Sequence, residues 1–312
     1  KYGVPLSLFN VKQNDDFGVF EVGMDKKGEI DYLTKITKPD LGVITNISYA
    51  HSKNFENIKQ IAKAKGEIIN NIKRDGAVVL NMDDNFYKYH ENLALKKNLK
   101  VISFGIKSKS PMTKLIKIKK YKNKYEVLIR VNNSYYTFNS LNDNKNNLYN
   151  ILATLSSINF FTDIKKLNRN IFLNFKTPIG RGNILKVSIK NKKIFLVDET
   201  YNSNPLSLKT AIENFDKLDS KNFKKYLFLG DMLELGEKSA SYHKNLSVLI
   251  NNSDIDKVFV KGEKMLITYK NLKKEKRGNI FQCNQAMEKH GCILFAVVHW
   301  EDNPTPICQN QA

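Results

Sequence analysis

Two side chains that could bind a divalent cation lie at or just after apolar runs of the sequence. Glu21 lies at the end of the run at residues 18–23, and His51 comes just after the run at residues 41–47. Since ligands of open parallel sheets bind at the carboxyl ends of the strands, both side chains can share one cleft. A carboxylate and an imidazole together suit a metal ion beside phosphate groups. Considered singly, each residue fits a solvent-facing turn or a helix cap better than a catalytic role.

Two lysines lie two residues apart in the helical pattern that follows His51. Lys63 and Lys65 cannot both face the cleft, because residues spaced by two do not share a helix face. We therefore expect one to face the end of the sheet and the other to face water. Burial lowers the pKa of a lysine, and the neutral amine can react with carbon dioxide to give a carbamate that binds metal. The spacing alone does not predict that modification.

The elements that must position these groups alternate along the first half of the chain. Four short apolar runs predict buried strands: residues 18–23, 41–47, 77–80 and 101–104. A helix is predicted between the second and third runs, at residues 57–72. This rhythm predicts an α/β fold with a largely parallel sheet covered by helices.

The pattern then changes. Residues 113–138 predict short antiparallel strands separated by Asn and Lys turns, and helices are predicted at 147–159 and 164–173. Pro and Gly interrupt both periodicities at residues 176–182, which we take as the linker. A second series of strands is predicted at 194–197, 226–229 and 258–260. These patterns divide the chain into domains at 1–180 and 181–285, followed by a tail at 286–312.

The composition favours a soluble globular protein of about two domains, with 312 residues of which 41% are hydrophobic and 26% charged. The net charge of +20 raises the alternative of a nucleic-acid binder. Lysine is spread along the chain together with Asn and Ile, so we expect solvated surface lysines and no nucleic-acid partner. No apolar stretch approaches the roughly 18 residues that span a bilayer, and no signal-peptide pattern opens the sequence. We expect a monomer in the cytoplasm.

Several motifs in a fixed order resemble the Mur ligases. The segments E-V-G-M at residues 21–24, T-N-I at 45–47 and A-K-A-K-G-E-I at 62–68 are similar to the central domain of that family. Two later segments resemble the member that acts on D-alanyl-D-alanine: D-E-T-Y-N-S-N-P at 198–205 and G-D-M-L-E-L-G at 230–236. The resemblance extends from about residue 1 to about residue 282.

The resemblance implies a fold and an activity. The fold would be a central nucleotide-binding domain, mostly parallel with an antiparallel extension, followed by a Rossmann-like domain. The activity would be ATP-dependent amide ligation in the synthesis of peptidoglycan precursors. ATP would phosphorylate the carboxylate of UDP-N-acetylmuramoyl-tripeptide, and the amine of D-alanyl-D-alanine would attack the acyl phosphate. Two Mg²⁺ ions would neutralise the charge on the transferred phosphoryl group.

The resemblance also implies roles for residues of the first domain. Glu21 would hold one magnesium ion, and His51 with a carbamylated Lys65 would hold the second. Asn147 and Asn150 would contact the adenine. The alternative for Asn147 is that it only caps its helix, which is a common position for Asn.

For the second domain, the resemblance implies that Arg181 reaches the phosphates and that Glu199 hydrogen-bonds the ribose. Lys65, His51 and Arg181 would then form the catalytic group. The alternatives are an exposed hinge residue for Arg181 and a simple turn acid for Glu199. For Asp231, a cap on the turn after its strand is as good an explanation as a functional role.

The resemblance fails at both ends. The pattern G-x-x-x-x-G-K-[ST] of a phosphate-binding loop does not occur, so we expect the chain by itself to bind ATP weakly and not to turn over. From about residue 286 the sequence departs from the family, and Cys292, His299 and Cys308 lie in this tail. The change could mark a frameshift, a misassembled gene end or a genuine novel tail, and we favour an artefact or a frameshift. A metal site is the alternative, but the spacing matches no usual set of ligands. The remaining alternatives for the function are a sibling Mur ligase, a folate polyglutamylating relative and a non-catalytic remnant.

Overall fold

The computed structural model divides the chain into two compact units, Lys1–Phe175 and Lys176–Ala312. It describes residues 3–48, 54–122, 124–175, 178–189, 192–201, 203–218, 223–280 and 293–299, the last range in its backbone only. Each unit is built on one six-stranded sheet. The α/β class is therefore as predicted.

The sheet of the first unit runs in chain order, from β1 to β6. Its strands are β1 (Leu41–Ile44), β2 (Ala77–Asn81), β3 (Lys100–Gly105), β4 (Thr113–Tyr121), β5 (Lys124–Val131) and β6 (Ser134–Ser140). The pairs from β1 to β4 are parallel, and β4, β5 and β6 are antiparallel to one another. This confirms the predicted parallel sheet with an antiparallel extension.

Helices cover both faces of that sheet. The helices of this unit are α1 (Gly3–Phe9), α2 (Glu29–Thr37), α3 (Ile58–Gly66), α4 (Tyr87–Lys96) and α5 (Lys145–Phe161), with 3₁₀ turns at Glu67–Asn71 and Ile164–Lys166. Strand β2 is buried along its whole length. Its side chains alternate: Val78 and Leu80 pack in a cluster with Ile61 of α3, whereas Val79 packs in another with Leu152 of α5. Each such side chain contributes about 1.5–3 kcal/mol by leaving water, which fixes the sheet between its helices.

The sheet of the second unit has the order β11-β10-β9-β12-β8-β7. Its strands are β7 (Asn183–Ile189), β8 (Lys192–Asp198), β9 (Phe223–Leu229), β10 (Lys257–Val260), β11 (Arg277–Ile280) and β12 (Ile293–His299). Helices α6 (Pro205–Asp216), α7 (Ser239–Asn251) and α8 (Met265–Lys270) accompany them, with 3₁₀ turns at Gly236–Lys238 and Lys274–Lys276. The core of this unit includes Phe215, Leu227, Ile250 and Val258.

Part of the predicted tail belongs to this sheet. Strand β12 lies between β8 and β9 and is antiparallel to both. The cysteines Cys292 and Cys308 lie outside the described residues, as does Trp300. Within the described residues, no helix is long and apolar enough to cross a membrane.

Two predicted elements are wrong. Residues 18–23 form no strand, and Val19 is 97% exposed. An apolar run becomes a strand only beside a partner backbone, and β1, the first described strand, pairs with β2 alone. The helix predicted at 164–173 is only the short turn Ile164–Lys166. Beyond it, the Asn168 side chain accepts the N–H of Asn170 at 2.8 Å, and such local bonds compete with a helix.

Candidate active site

Helix α3 positions the lysine pair. It begins after Asn57, whose side chain accepts the N–H of Gln60, and its residue Ile61 is in the same core cluster as Val78 and Leu80 of β2. Lys63 is exposed, whereas Lys65 is half-buried, which confirms that the two lysines face different surroundings. Burial lowers the pKa of Lys65, and the negative charges of Asp84 and Glu21 oppose this effect. Both carboxylates are therefore close enough to Lys65 to interact with it.

Asp84 organises the backbone around this lysine. Its carboxylate accepts the N–H of Ile47, in the loop after β1, and the N–H of Phe86, each at 2.8 Å. The neighbouring Asn81 side chain donates to the carbonyl of Thr45 at 3.1 Å. The turn after β2 thus holds the T-N-I loop after β1 in place. The sequence pattern predicted the strand at residues 77–80 but gave no reason to assign Asp84 a role.

A buried histidine of α4 hydrogen-bonds the backbone of α3. His90 is 2% exposed, and its Nε2 lies 2.9 Å from the carbonyl oxygen of Ala62. A carbonyl can only accept, so we assign the proton to Nε2. Burial lowers the pKa of His90, in agreement with a neutral ring. Its ring also packs where a side chain at Gly66 would stand, with 3.1 Å to an added Cβ. His90 is therefore a structural residue.

One acid of the A-K-A-K-G-E-I segment also has a structural role. The Glu67 carboxylate accepts the N–H of Gly28 at 2.8 Å and the N–H of Asp31 at 3.2 Å, both at the start of α2. A carboxylate in this position satisfies free N–H groups and complements the helix dipole. Gly28 has φ +88°, a conformation that favours glycine.

The predicted metal ligands are only partly described. Glu21 is exposed, and its negative charge acts on the Lys65 amine. His51 lies outside the described residues. Among the described residues, no group of three or more His, Cys, Asp or Glu side chains could hold a metal ion. The cleft shared by Glu21 and His51 therefore stays a prediction.

Helix α5 presents the two asparagines. Asn144 caps the helix by accepting the N–H of Asn146, so the alternative that Asn147 is the cap is wrong. Asn147 is half-buried and donates to Oγ of Ser140 at 3.1 Å. Asn150 is exposed, and its spacing of three places it on the same helix face as Asn147.

Asp83 fastens α5 to the sheet, a role that the sequence did not reveal. Its carboxylate accepts the hydroxyl of Tyr149, in α5, at 2.8 Å. It also accepts the N–H groups of Ile106, Lys107 and Ser108 at 2.7, 2.9 and 2.7 Å, and the Ser108 hydroxyl at 2.5 Å. Partial burial opposes ionisation, but these hydrogen bonds outweigh it and hold the pKa of Asp83 well below its usual range.

The open end of the β7–β8 hairpin carries the other two predicted residues. Arg181 is exposed, and its guanidinium lies 4.1 Å from the ring centroid of Tyr201. Glu199 is half-buried, and burial together with the charge of Asp198 raises its pKa to about 7, while Arg181 opposes the shift. The Gly182 N–H donates to the Asp198 carbonyl at 2.7 Å, which brings the two segments together.

Asp231 acts as a cap. Its carboxylate accepts the N–H of Met265 at 2.7 Å and that of Lys264 at 3.3 Å, at the start of α8. Gly262 makes this approach possible, since a Cβ there would lie 2.4 Å from the Asp231 carboxyl group. Asp231 therefore has a structural role, but its described bonds cap the start of α8 and not the turn after its own strand, β9.

A model of the Mur ligase middle domain matches residues 1–158 of the 312, which is just over half of the chain. The chain belongs to the Mur ligase family. Two of the similar proteins are named UDP-N-acetylmuramoyl-tripeptide–D-alanyl-D-alanine ligase. The one from Buchnera aphidicola subsp. Acyrthosiphon pisum is 32% identical over 273 residues, which cover 84% of this chain and 56% of the relative. The one from Bacillus subtilis is 28% identical over 268 residues, covering 84% and 54%.

This Mur ligase chain spans a little over half the length of those curated relatives. Solved structures share its fold. MurF from Acinetobacter baumannii superimposes with a TM-score of 0.77 at 22% identity, covering 89% of this chain and 58% of that one. The MurF ligase from Thermotoga maritima in complex with ADP gives a TM-score of 0.72 at 24% identity, covering 92% and 68%.

Proposed function

We propose that the intact protein carrying this chain is an ATP-dependent ligase that joins D-alanyl-D-alanine to UDP-N-acetylmuramoyl-tripeptide. The observation that carries the proposal is the agreement of sequence along the chain: relatives bearing that name match 84% of it. The D-E-T-Y-N-S-N-P and G-D-M-L-E-L-G segments support the same member over its siblings. The protein would act in the cytoplasm as a monomer.

The proposed reaction has two steps. A carboxylate oxygen of the tripeptide attacks the γ-phosphorus of ATP, which releases ADP and leaves an acyl phosphate. The amine of D-alanyl-D-alanine then attacks the acyl carbon, loses a proton, and expels inorganic phosphate as the amide forms. Charge accumulates on the phosphoryl oxygens, so cations placed around them accelerate the first step.

The chain's own residues suit a nucleotide. Asn147 and Asn150 offer amide groups on one face of α5, and these would hydrogen-bond the adenine edge. The exposed Arg181 guanidinium would bind phosphate oxygens. A carboxyl group with a pKa of about 7, as at Glu199, can donate or accept a hydrogen bond near neutral pH and so suits a ribose hydroxyl.

Mg²⁺ suits the surroundings of Lys65. Glu21 would hold one ion, and His51 with a carbamate on Lys65 would hold a second. When bound, the two ions would neutralise phosphate charge. Carbamate formation requires a neutral amine, which adds to carbon dioxide and releases one proton. The lowered pKa of the half-buried Lys65 favours that reaction.

The lysine pair provides a matched test of the carbamate. Lys65→Met and Lys63→Met remove the same charge from the same helix, but only Lys65 is half-buried near Asp84 and Glu21. With ¹³C-bicarbonate, we expect a carbamate carbon resonance in the parent protein and in Lys63→Met, and none in Lys65→Met. A resonance that survives in Lys65→Met would contradict the assignment.

The substrate assignment is tested by a panel of amines. Phosphate release by the intact protein is measured with UDP-N-acetylmuramoyl-tripeptide, ATP and Mg²⁺, adding D-alanyl-D-alanine, L-alanine, D-glutamate, meso-diaminopimelate or L-lysine in turn. We expect release to depend on D-alanyl-D-alanine. Equal or faster release with a single amino acid would overturn the assignment of D-alanyl-D-alanine. If none of the amines causes release, the assay is repeated with UDP-N-acetylmuramate plus L-alanine and with UDP-N-acetylmuramoyl-L-alanyl-D-glutamate plus diaminopimelate. Turnover there would identify a sibling ligase, and none would favour a non-catalytic protein.

A further inference from the structure

The two segments at the open end of the β7–β8 hairpin approach each other closely. The Tyr201 N–H donates to the Gly180 carbonyl at 3.1 Å. Gly180 has φ +81°, and a Cβ there would lie 2.7 Å from the Tyr201 backbone nitrogen. Only glycine fits this turn without strain. The Tyr201 backbone is therefore held beside residue 181, and its ring, which is 56% exposed, is within reach of the Arg181 side chain.

The ring carries the Arg181 guanidinium at 4.1 Å from its centroid. Within the described ranges, Arg181 has no salt-bridge partner, and its backbone N–H is the group that bonds Asn183, at 3.3 Å. Among the described residues, the charge of Glu199 also attracts the guanidinium, and the stacking on Tyr201 is the direct contact made by the charged end of this side chain. An exposed arginine otherwise samples many rotamers, and ordering it on binding weakens affinity.

We propose that Tyr201 is a positioning residue, whose ring pre-orders the Arg181 guanidinium for the phosphate groups of the nucleotide. The inference rests on the proposed role of Arg181 and adds to it the residue through which that role is exercised. The stacking requires the aromatic face and not the hydroxyl group, since the guanidinium lies over the ring. An exposed cation–π contact of this kind corresponds to about a 2- to 5-fold change in affinity.

The experiment compares the intact protein with Tyr201→Phe, Tyr201→Leu, Arg181→Ala and the double variant Tyr201→Leu/Arg181→Ala. The KM for ATP, the dissociation constant for ATP and the melting temperature are measured for each. We expect Tyr201→Phe to retain the ATP affinity of the parent, and Tyr201→Leu to bind ATP about 2- to 5-fold more weakly at an unchanged melting temperature. The double variant should bind ATP no more weakly than Arg181→Ala.

The outcomes separate the two hypotheses. If Arg181→Ala weakens ATP binding but Tyr201→Leu does not, the positioning role is overturned and the role of Arg181 stands. If the losses of the two single variants multiply in the double variant, Tyr201 contacts the nucleotide by itself, and the inference is overturned. If Arg181→Ala binds ATP like the parent, the role of Arg181 fails and the inference fails with it.

Discussion

Replacement of Asp83 by Asn tests whether one carboxylate fastens α5 to the sheet. Oδ2 accepts bonds from Ile106, Lys107 and Tyr149, and Oδ1 accepts two from Ser108. An amide NH₂ at either position would face backbone N–H groups, which cannot accept, so one or two of the five bonds are lost, and the remaining bonds no longer involve a charged group. Hydrogen bonds to a charged group contribute about 1.5–3 kcal/mol each. Because the site is part-exposed and solvent screens its charge, we expect Asp83→Asn to lower the free energy of unfolding by about 3 kcal/mol in total.

Hydrogen-exchange mass spectrometry measures this loss locally, in peptides from β2 and α5. A loss of about 3 kcal/mol corresponds to roughly 150-fold faster exchange through opening of the first unit. Asp16→Asn removes the same charge from an exposed position of that unit and serves as the control. Exchange that stays within about 3-fold of the parent, or that accelerates equally in the control, would refute the reasoning.

The pH dependence of the same difference has a defined sign. The folded pKa of Asp83 lies below its unfolded value, so the folded state binds fewer protons. The stabilisation is complete above about pH 4, the unfolded pKa, and is lost as the pH falls through the folded pKa. The gap in stability between parent and Asp83→Asn should therefore narrow below about pH 4. A gap that is constant down to acid pH would mean that the charge is not the cause.

Three further predictions concern the second unit. Gly262→Ala should destabilise it by about 2–4 kcal/mol in urea unfolding, because φ is +102° and the new Cβ would meet the Asp231 carboxyl at 2.4 Å; an unchanged midpoint would contradict this. Glu199→Gln should raise stability by about 1–2 kcal/mol at pH 8 and have no effect near pH 4.5, since a carboxyl with its pKa raised to about 7 costs stability as the pH rises from its unfolded pKa; an equal effect at both values would exclude titration of Glu199. The buried His243 accepts the Met232 N–H on Nε2. Burial lowers the pKa of His243, the positive charge of Lys264 lowers it further, and the negative charge of Asp231 opposes both effects. Stability should therefore fall as the pH drops below about 6.5, and His243→Gln should flatten that slope in thermal melts.

The strands and helices that were predicted correctly are those whose pattern is local. Strand β2 and helix α3 show their buried positions directly in the spacing of apolar residues, and the spacing of Lys63 and Lys65 predicted their different exposure. Residues 18–23 also contain apolar side chains (G-V-F-E-V-G) but have no partner strand in the described part of the chain. Pairing is a long-range condition, which a local pattern cannot report.

The parts of the site that escaped prediction depend on contacts between distant segments. Asp83 and Asp84 bind backbone N–H groups of loops that follow other strands, and nothing in their own sequence neighbourhood announces those partners. The stacking of Arg181 on Tyr201 follows from the register of the β7–β8 hairpin, which pairs Asn183 with Asp198. The roles toward a ligand stay predictions for all seven site residues: Glu21, His51, Lys65, Asn147, Asn150, Arg181 and Glu199.

The central claim is that the protein makes an amide through an acyl phosphate, and isotope transfer tests it most directly. UDP-N-acetylmuramoyl-tripeptide labelled with ¹⁸O in its terminal carboxylate is incubated with the intact protein, ATP, Mg²⁺ and D-alanyl-D-alanine. If the carboxylate attacks the γ-phosphorus, each amide bond formed delivers one ¹⁸O atom to inorganic phosphate, which mass spectrometry detects. Amide formation with unlabelled phosphate, or phosphate release without any amide product, would contradict the account.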